Sequence, residues 1–397
     1  MRILSLMPYY IHASRAGGPA QQLHRLAQGV QRCGSRLEVV TTNGNLEEDI
    51  ALKFAGEICP TDENGIAVTY LRRRRFPFPP TFYYAPLLPR WLATHLADYD
   101  IAIVHGAWTY FNMVGAGLCR RWGKPYLVFP HGSFDPWAWR YHGWKKVLYW
   151  HGVEKRNYQG CAGVVALSAD EAGQIHARGI DRPVFLARNG LLFPLPSVEQ
   201  PREVLGRHWP DLSRRPYVCS ISRLHPKKGI DILLSAWAQI YERYQEWQLV
   251  IAGPDENQYL AKLQALAQSW GIHQTVIFTG AVEGIVKSAM LQCASAFVLP
   301  SLSEGVPGAV VEALGYGLPV LITPACHLPE VAAADAGVIV ASQPEAVAAG
   351  LEQLLADRQR RQQWGRNAAQ LAHREFDEVS VAAGLIEFCT HLLQDGR

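Results

Sequence analysis

Two glutamates, Glu304 and Glu312, stand eight positions apart around a loop with little side-chain bulk, Gly305-Val306-Pro307-Gly308. The surrounding stretch, residues 299–321, reads as strand, loop, helix, strand. A helix start preceded by small residues is a ready anion site, because free backbone N–H groups and the positive end of the helix dipole converge there. A glutamate before such a helix, and another in its second turn, can accept hydrogen bonds from hydroxyls on either side of the anion. Phosphate flanked by hydroxyls describes a nucleotide sugar. The same pattern also fits an ordinary strand-to-helix turn with a solvated glutamate, since short motifs recur by chance.

A second constellation is Ser222-Arg223-Leu224-His225-Pro226-Lys227-Lys228-Gly229. It follows a predicted strand and opens a helix. An arginine and a lysine fixed in one loop can neutralise the charge that develops on a departing diphosphate, with no metal ion. Arg223 offers a planar fork and Lys228 a compact charge, while Lys227 reads as the solvated member. A solvated basic loop is the plain alternative. In the first half, Ala13-Ser14-Arg15-Ala16-Gly17-Gly18-Pro19 is another glycine-rich helix start, with Pro19 suited to the first turn. A tight turn alone would look the same. His131, in Phe129-Pro130-His131-Gly132, and His105, in Val104-His105-Gly106-Ala107-Trp108, each follow a predicted strand. Each can hydrogen-bond a sugar or its acceptor, or serve as a satisfied structural histidine.

The elements that must position these residues are legible as alternating strands and helices. Short apolar runs at 1–7, 37–42, 66–71, 101–104, 125–129 and 163–166 read as strands in the first half. In the second half they fall at 217–222, 248–252, 276–279, 296–299 and 319–322, with amphipathic helices such as 230–244 and 259–270 between. Continuous apolar strands alternating with helices imply α/β architecture, with parallel sheets covered on both faces. Ligands in such folds bind at the carboxyl ends of the strands, and every constellation above lies just after one. The proline-bearing stretch 192–216 reads as an interdomain linker. Asn189-Gly190 reads as a turn near that hinge. Residues 376–393 read as a final helix.

The bulk numbers are compatible with this. A chain of 397 residues exceeds one ordinary core and suggests two domains. Hydrophobic content of 49% against 18% charged residues excludes a disordered chain, and a net charge of +3 gives no global nucleic-acid footprint. The eight cysteines include no C-x-x-C pair, which favours reduced thiols in a cytoplasmic protein. No apolar run reaches the roughly 18 residues needed to span a bilayer. The N-terminal Met1-Arg2-Ile3-Leu4-Ser5-Leu6-Met7 reads as the first strand rather than a signal peptide.

The segment 299–321 resembles the signature of the family 4 retaining glycosyltransferases. In that family Glu-Gly-(Phe or Val)-small-small precedes a Glu-Ala pair and then Gly-x-Pro-Val. Here these are Glu304-Gly305-Val306-Pro307-Gly308, Glu312-Ala313 and Gly317-Leu318-Pro319-Val320. The departure is Pro307, which lacks an N–H. The resemblance implies the GT-B fold, two doubly wound Rossmann-like domains facing across a cleft. The expected boundaries are 1–192 for an acceptor domain, 193–374 for a nucleotide-sugar donor domain, and 375–397 for a helix returning to the first. It implies that Glu304 contacts the donor sugar and Glu312 the ribose. Gly17, Gly18, Arg223, Lys228, Gly305, Val306, Gly308, Val310 and Val311 complete the donor site. His131 lies near the reacting sugar, and His105 and His131 face the acceptor. His131, Glu304, Arg223 and Lys228 are the expected catalytic residues. Asp98-Tyr99-Asp100 mimics the metal motif of a different glycosyltransferase fold, but it precedes its strand and reads as a surface turn. No metal and no cofactor are expected, only the nucleotide sugar as co-substrate.

The resemblance further implies hexosyl transfer with retention of configuration, from UDP-glucose or a similar donor to a hydroxyl acceptor. Residues 131–158 look most like enzymes of bacterial surface-polysaccharide assembly, whose acceptor is a glycan or lipid-linked saccharide. Aromatic and basic residues crowd that segment, among them Trp137, Trp139, Arg140, Tyr141, Trp144, Lys145 and Lys146. Such a face can rest on a membrane, at the inner face here, or cover a buried aromatic stripe. The run Arg72-Arg73-Arg74-Arg75 would suit a phosphorylated acceptor, as in sucrose-phosphate synthases with fructose 6-phosphate. A sugar-nucleotide epimerase of the same fold is a third reading, as is a non-catalytic nucleotide-sugar-binding protein.

Overall fold

Strand β1, Arg2–Leu6, has every residue after Arg2 buried, as a strand covered on both faces must. The computed structural model describes residues 1–13, 17–44, 46, 54, 56–75, 77–134, 143–256 and 258–395. Outside the described residues lie Ser14, Arg15, Ala16, Phe76, Asp135, Pro136, Trp137, Trp139, Arg140 and Tyr141, and the side chains of Trp144 and Lys145.

The first unit comprises 1–192 and 378–397. Its strands are β1, β2 (Arg36–Thr42), β3 (Ile58–Glu63), β4 (Ile66–Leu71), β5 (Ile101–His105), β6 (Tyr126–Phe129), β7 (Gly163–Ala166) and β8 (Val184–Leu186). They form one sheet in the order β3-β4-β2-β1-β5-β6-β7-β8, parallel except for the β3–β4 hairpin. The chain winds outward from β1 through β2, then crosses back to place β5 on the other side of β1. The loops after β1 and β5 therefore diverge at one point and leave a crevice.

The second unit, 193–377, repeats the plan. Its strands β9 (Tyr217–Ile221), β10 (Gln248–Ala252), β11 (Val276–Gly280), β12 (Ala296–Leu299), β13 (Val320–Ile322) and β14 (Gly337–Ile339) are all parallel. Their order is β11-β10-β9-β12-β13-β14, so the reversal falls between β9 and β12. Each unit has its own apolar core, one around Leu4, Val104 and Val128, the other around Val218, Leu249 and Val298.

Two features differ from the sequence reading. Strand β3 alternates half-buried and exposed residues and carries Pro60, so it lacks an apolar run; as an antiparallel edge strand it needs none. Residues 193–216 are not a loose linker but part of the second unit. Pro201 and Pro210 open the helix Pro201–Gly206 and the turn Pro210–Ser213, where a missing N–H costs nothing. Leu205 and Leu212 are fully buried, and Val198 N donates to Gln292 Oε1 at 2.9 Å.

The final helix, Glu378–Asp395, packs within the first unit against the helix Gly17–Arg32. Glycine permits this approach: a Cβ on Gly29 would lie 2.7 Å from Glu378 O and 3.0 Å from Ala382 Cβ. Gly29→Leu is expected to destabilise the protein by about 1–3 kcal/mol through overpacking, read as a lower urea midpoint. Gly18→Ala, whose Cβ meets nothing within 4 Å, is expected to stay within about 0.5 kcal/mol of wild type.

Candidate active site

In the second unit the loops after β9, β12 and β13 are laced together. Gly229 ends the turn Pro226–Lys228 with φ of 66° and starts the helix Ile230–Ile240. A Cβ there would lie 2.1 Å from Pro300 O, so only glycine lets the basic loop touch the loop after β12. Leu302 N donates to Lys227 O at 2.7 Å, and Ser301 Oγ lies 2.8 Å from both Lys227 O and Glu304 Oε1. Thr323 Oγ1 donates to Ser301 O at 2.5 Å and Glu304 N to Ala325 O at 3.1 Å. The result is a close ion pair between Lys228 Nζ and Glu304 Oε1, with side chains only 11% and 9% exposed.

Arg223 is half exposed and its Nη1 lies 2.9 and 3.1 Å from the carboxylate oxygens of Glu256. Glu312, on the helix Gly308–Gly315, pairs with Lys287 of the helix Gly284–Cys293. Pro307 is the cap of the Gly308 helix and offers no side-chain bond to it. Val306 is buried, and Gly305 is partly exposed beside it. Val310 and Val311 turn their side chains into the core, and their N–H groups both donate to Pro307 O. The helix's backbone bonds thus begin at Val310 and Val311, and the N–H of Gly308 belongs to the first turn, which has no intrahelical acceptor. Glu256 and Lys287 carry no motif of their own; the signal for them is a charge of opposite sign on a neighbouring loop or helix.

In the first unit a chain of polar atoms runs along the crevice between β1 and β5. Ser5 Oγ lies 2.5 Å from His105 Nε2, and His105 Nδ1 lies 2.8 Å from His131 Nε2. His105 is fully buried, so it stands behind His131 rather than at the surface. The His131 ring stacks on Phe129 with centroids 3.8 Å apart. Burial pushes His131 down to about 3 and His105 well below the usual histidine range, where the neighbouring His131 adds to the effect. His131 and Gly132 both have positive φ, 53° and 76°. Glu171 holds that turn: Oε1 accepts from Gly132 N at 2.5 Å and Oε2 from Leu167 N at 2.8 Å. Gly17 begins the first helix, and Gly18 is exposed with open space at its Cβ position.

A second buried carboxylate shapes the loop after β5. Glu154 is fully buried; Oε1 accepts from Trp108 N at 2.8 Å and Oε2 from Asn157 Nδ2 at 3.2 Å. Trp108 has φ of 65°, an unusual conformation for a bulky residue. Asn112 Nδ2 donates to Gly106 O at 2.7 Å and fastens the other end of the loop. π-helical turns at Asn112–Ala116 and Trp150–Glu154 bring these side chains together.

Other singled-out residues have structural partners. Arg72 and Arg74 share Glu57 at 3.3 and 2.6 Å, and Arg73 lies over the Tyr83 ring. Asp100 Oδ2 accepts from Arg2 N at 2.7 Å, at the amino end of the sheet, and Tyr99 OH donates to Glu38. Asn189 is buried, and a Cβ on Gly190 would overlap the Glu378 carboxylate. The eight cysteines are free thiols. Among the described residues, no helix is long and apolar enough to cross a membrane, and no cluster of three or more His, Cys, Asp or Glu is placed to hold a metal.

Two Rossmann-like units, one with charged loops at its switch point and one with a chain of neutral polar groups there, define a doubly wound α/β class, and comparison with known proteins narrows it. Residues 17–190 match the family described as "Glycosyl transferase 4-like domain", and residues 208–371 match "Glycosyl transferases group 1". The chain belongs to this glycosyltransferase family, with the GT-B fold. It is 30% identical over 161 residues to the GDP-mannose-dependent alpha-(1-6)-phosphatidylinositol monomannoside mannosyltransferase of Mycolicibacterium smegmatis, covering 38% of this chain and 41% of that one. The chain spans less than half the length of the first curated relatives it matches. The structure of Anabaena HepE in complex with UDP and glucose aligns with a TM-score of 0.77 at 19% identity, over 98% of this chain and 100% of that one. Sucrose-phosphate synthase from Thermosynechococcus elongatus aligns with a TM-score of 0.75 at 18% identity, over 99% of each chain.

Two outcomes test this geometry. Lys228→Met leaves Glu304 buried without its counter-charge, and is expected to cost about 3 kcal/mol in urea unfolding. Adding Glu304→Gln should recover much of that loss; simple additivity would mean the two are not coupled. For Glu154, burial pushes the carboxyl from its ordinary 4.5 up to about 7. The native state then holds a proton that the unfolded chain has released, so this group's stabilisation is full below 4.5 and declines as pH rises to about 7. Glu154→Gln should remove that decline, so the stability gap between variant and wild type should move in the variant's favour across this window.

Proposed function

We propose that the chain transfers a hexosyl group from a nucleotide sugar to a hydroxyl acceptor with retention of configuration. The observation that carries the reading is the Lys228–Glu304 pair, held at the β9/β12 switch point beside the Gly308 helix start. A diphosphate seated at that helix start would meet Lys228 directly and Arg223 after its exchange from Glu256. Glu304 would face the sugar and Glu312 the ribose. In the reaction the bond from the anomeric carbon to the diphosphate oxygen breaks, and a bond to the acceptor oxygen forms on the same face. The acceptor's proton passes to the departing phosphate oxygen. The protein contributes position and charge stabilisation rather than a glycosyl-enzyme nucleophile. Charge on the leaving group is carried by Arg223 and Lys228, so the reaction needs no metal.

UDP-glucose is the first donor to test, with GDP-mannose beside it because a relative is named for that donor. The acceptor reading is a glycan or lipid-linked saccharide of surface-polysaccharide assembly, met at the inner face of a membrane. The relative named for a phosphatidylinositol mannoside acceptor supports a lipid-linked one. The sucrose-phosphate alternative stays beside it: Arg72 and Arg74 share Glu57, an exposed pairing they would exchange for a phosphate as Arg223 would exchange Glu256. An epimerase would need further acid and base groups. The buried carboxylates of the first-unit loops, Glu154 and Glu171, are engaged by backbone N–H groups instead.

The test is nucleoside diphosphate release by purified protein from each donor. The arms are no acceptor, fructose 6-phosphate, and a membrane-lipid extract, each with and without EDTA. Stimulation by the extract, unaffected by EDTA, is expected. Arg223→Ala and Lys228→Ala should each lower the rate by about 10² or more, the scale for losing one preorganised charge-stabilising group. Normal turnover by Lys228→Ala would remove the proposed diphosphate site.

A further inference from the structure

We infer that Ser5 and His105 are positioning residues that fix His131 as a hydrogen-bond donor, through its Nδ1–H, to a substrate oxygen. The inference rests on the transfer reading for the identity of that substrate, a sugar hydroxyl or ring oxygen, but its structural core stands without it.

Three groups are linked in series, Ser5 Oγ to His105 Nε2 at 2.5 Å and His105 Nδ1 to His131 Nε2 at 2.8 Å. Each contact needs one hydrogen, so the direction of the first sets the direction of the second. If Ser5 O–H donates, His105 accepts at Nε2 and carries its proton on Nδ1. His105 then donates to His131 Nε2, and the His131 proton must sit on Nδ1. If instead His105 donates to Ser5, the Ser5 hydroxyl hydrogen needs a second acceptor. Ser5 is fully buried in β1, and among the described residues His105 is its only side-chain partner. That arrangement would leave two orphans, the Ser5 O–H and a bare His131 Nδ1. The first arrangement leaves one, the His131 Nδ1–H. A buried unsatisfied polar group costs about 1–3 kcal/mol, which decides for Ser5 as donor.

The remaining orphan is informative. His131 Nδ1 is buried and has no partner among the described residues, while the other ring nitrogen is fully engaged. The turn that carries it is strained, with positive φ at His131, and is clamped by Glu171 through Gly132 N. Burial keeps both rings neutral, so the relay is not scrambled by an added proton. An imidazole fixed this way is a poor general base, because its one unengaged nitrogen already holds a proton. It is a preorganised donor whose bond is still to be made.

The test combines imidazole 15N NMR on the full chain with turnover of UDP-glucose and GDP-mannose. His131 is assigned by its loss in His131→Gln. In wild type both rings should carry the proton on Nδ1. Ser5→Ala should release the constraint and give His131 a mixture of tautomers. His105→Leu should lower kcat by about 10²-fold, the scale for losing one preorganised donor, with KM little changed. His105→Asn, whose amide N–H can replace Nδ1–H, should restore much of that loss. A wild-type His131 protonated on Nε2 would overturn the inference. So would an unchanged His131 tautomer in Ser5→Ala, a small substitution that keeps the readout if His105→Leu fails to fold. If wild type turns over no nucleotide sugar, the transfer reading fails, and the NMR arm still decides the relay.

Discussion

The close approach of Gly229 to Pro300 is the constraint on which the second unit's site depends. Two strands that are neighbours in the sheet, β9 and β12, are far apart in sequence and send their loops out at the point where winding reverses. Sheet topology alone would leave those loops side by side. A residue without a Cβ, in a left-handed conformation, lets one backbone rest on the other. Once that contact exists, Lys228 and Glu304 have little choice of partner. Their charges are largely withdrawn from water, where an unpaired ion would be expensive, and Ser301 ties the carboxylate from a further side.

The same logic recurs with different chemistry in the first unit. There the crevice between β1 and β5 is lined by neutral imidazoles and a hydroxyl instead of an ion pair. Carboxylates are set one layer back, where Glu154 and Glu171 hold backbone amides of the loops that carry Trp108 and Gly132. These carboxyl groups shape the loops, and the crevice between β1 and β5 is left to uncharged groups. One unit sets charged side chains at its switch point, the other neutral polar ones.

The sequence reveals what depends on local pattern. Fully buried parallel strands need apolar runs, so β1, β5, β9 and β12 are legible within a residue or two. Strand β3 is polar and antiparallel, and β8 and β14 are short edge strands that are only partly buried, so no run marks them. Prolines between 193 and 216 look like a linker because a proline ending one element and a proline starting a helix are the same letter. The residue types able to do chemistry, Arg223, Lys228, Glu304, Glu312 and His131, stand out because they follow strands beside glycines. Their partners do not. Glu256, Lys287, Ser5 and Glu171 come from other elements, and pairing across such separations leaves no local trace. Histidines 105 and 131 look alike in sequence; only burial puts one behind the other.

The helix Glu378–Asp395 gives the first unit an unusual schedule. Its residues Ala382, Leu385 and Cys389 are fully buried, and Phe388 stacks on Phe185. All of these are synthesised only after the whole of the second unit. At about 5–20 residues per second, the helix Gly17–Arg32 waits on the order of ten seconds or more for this partner. During that interval the nascent chain presents an apolar groove along the helix Gly17–Arg32 that its own tail will later fill. Chaperones that hold exposed apolar surface would meet this protein through its beginning, and its end would release them.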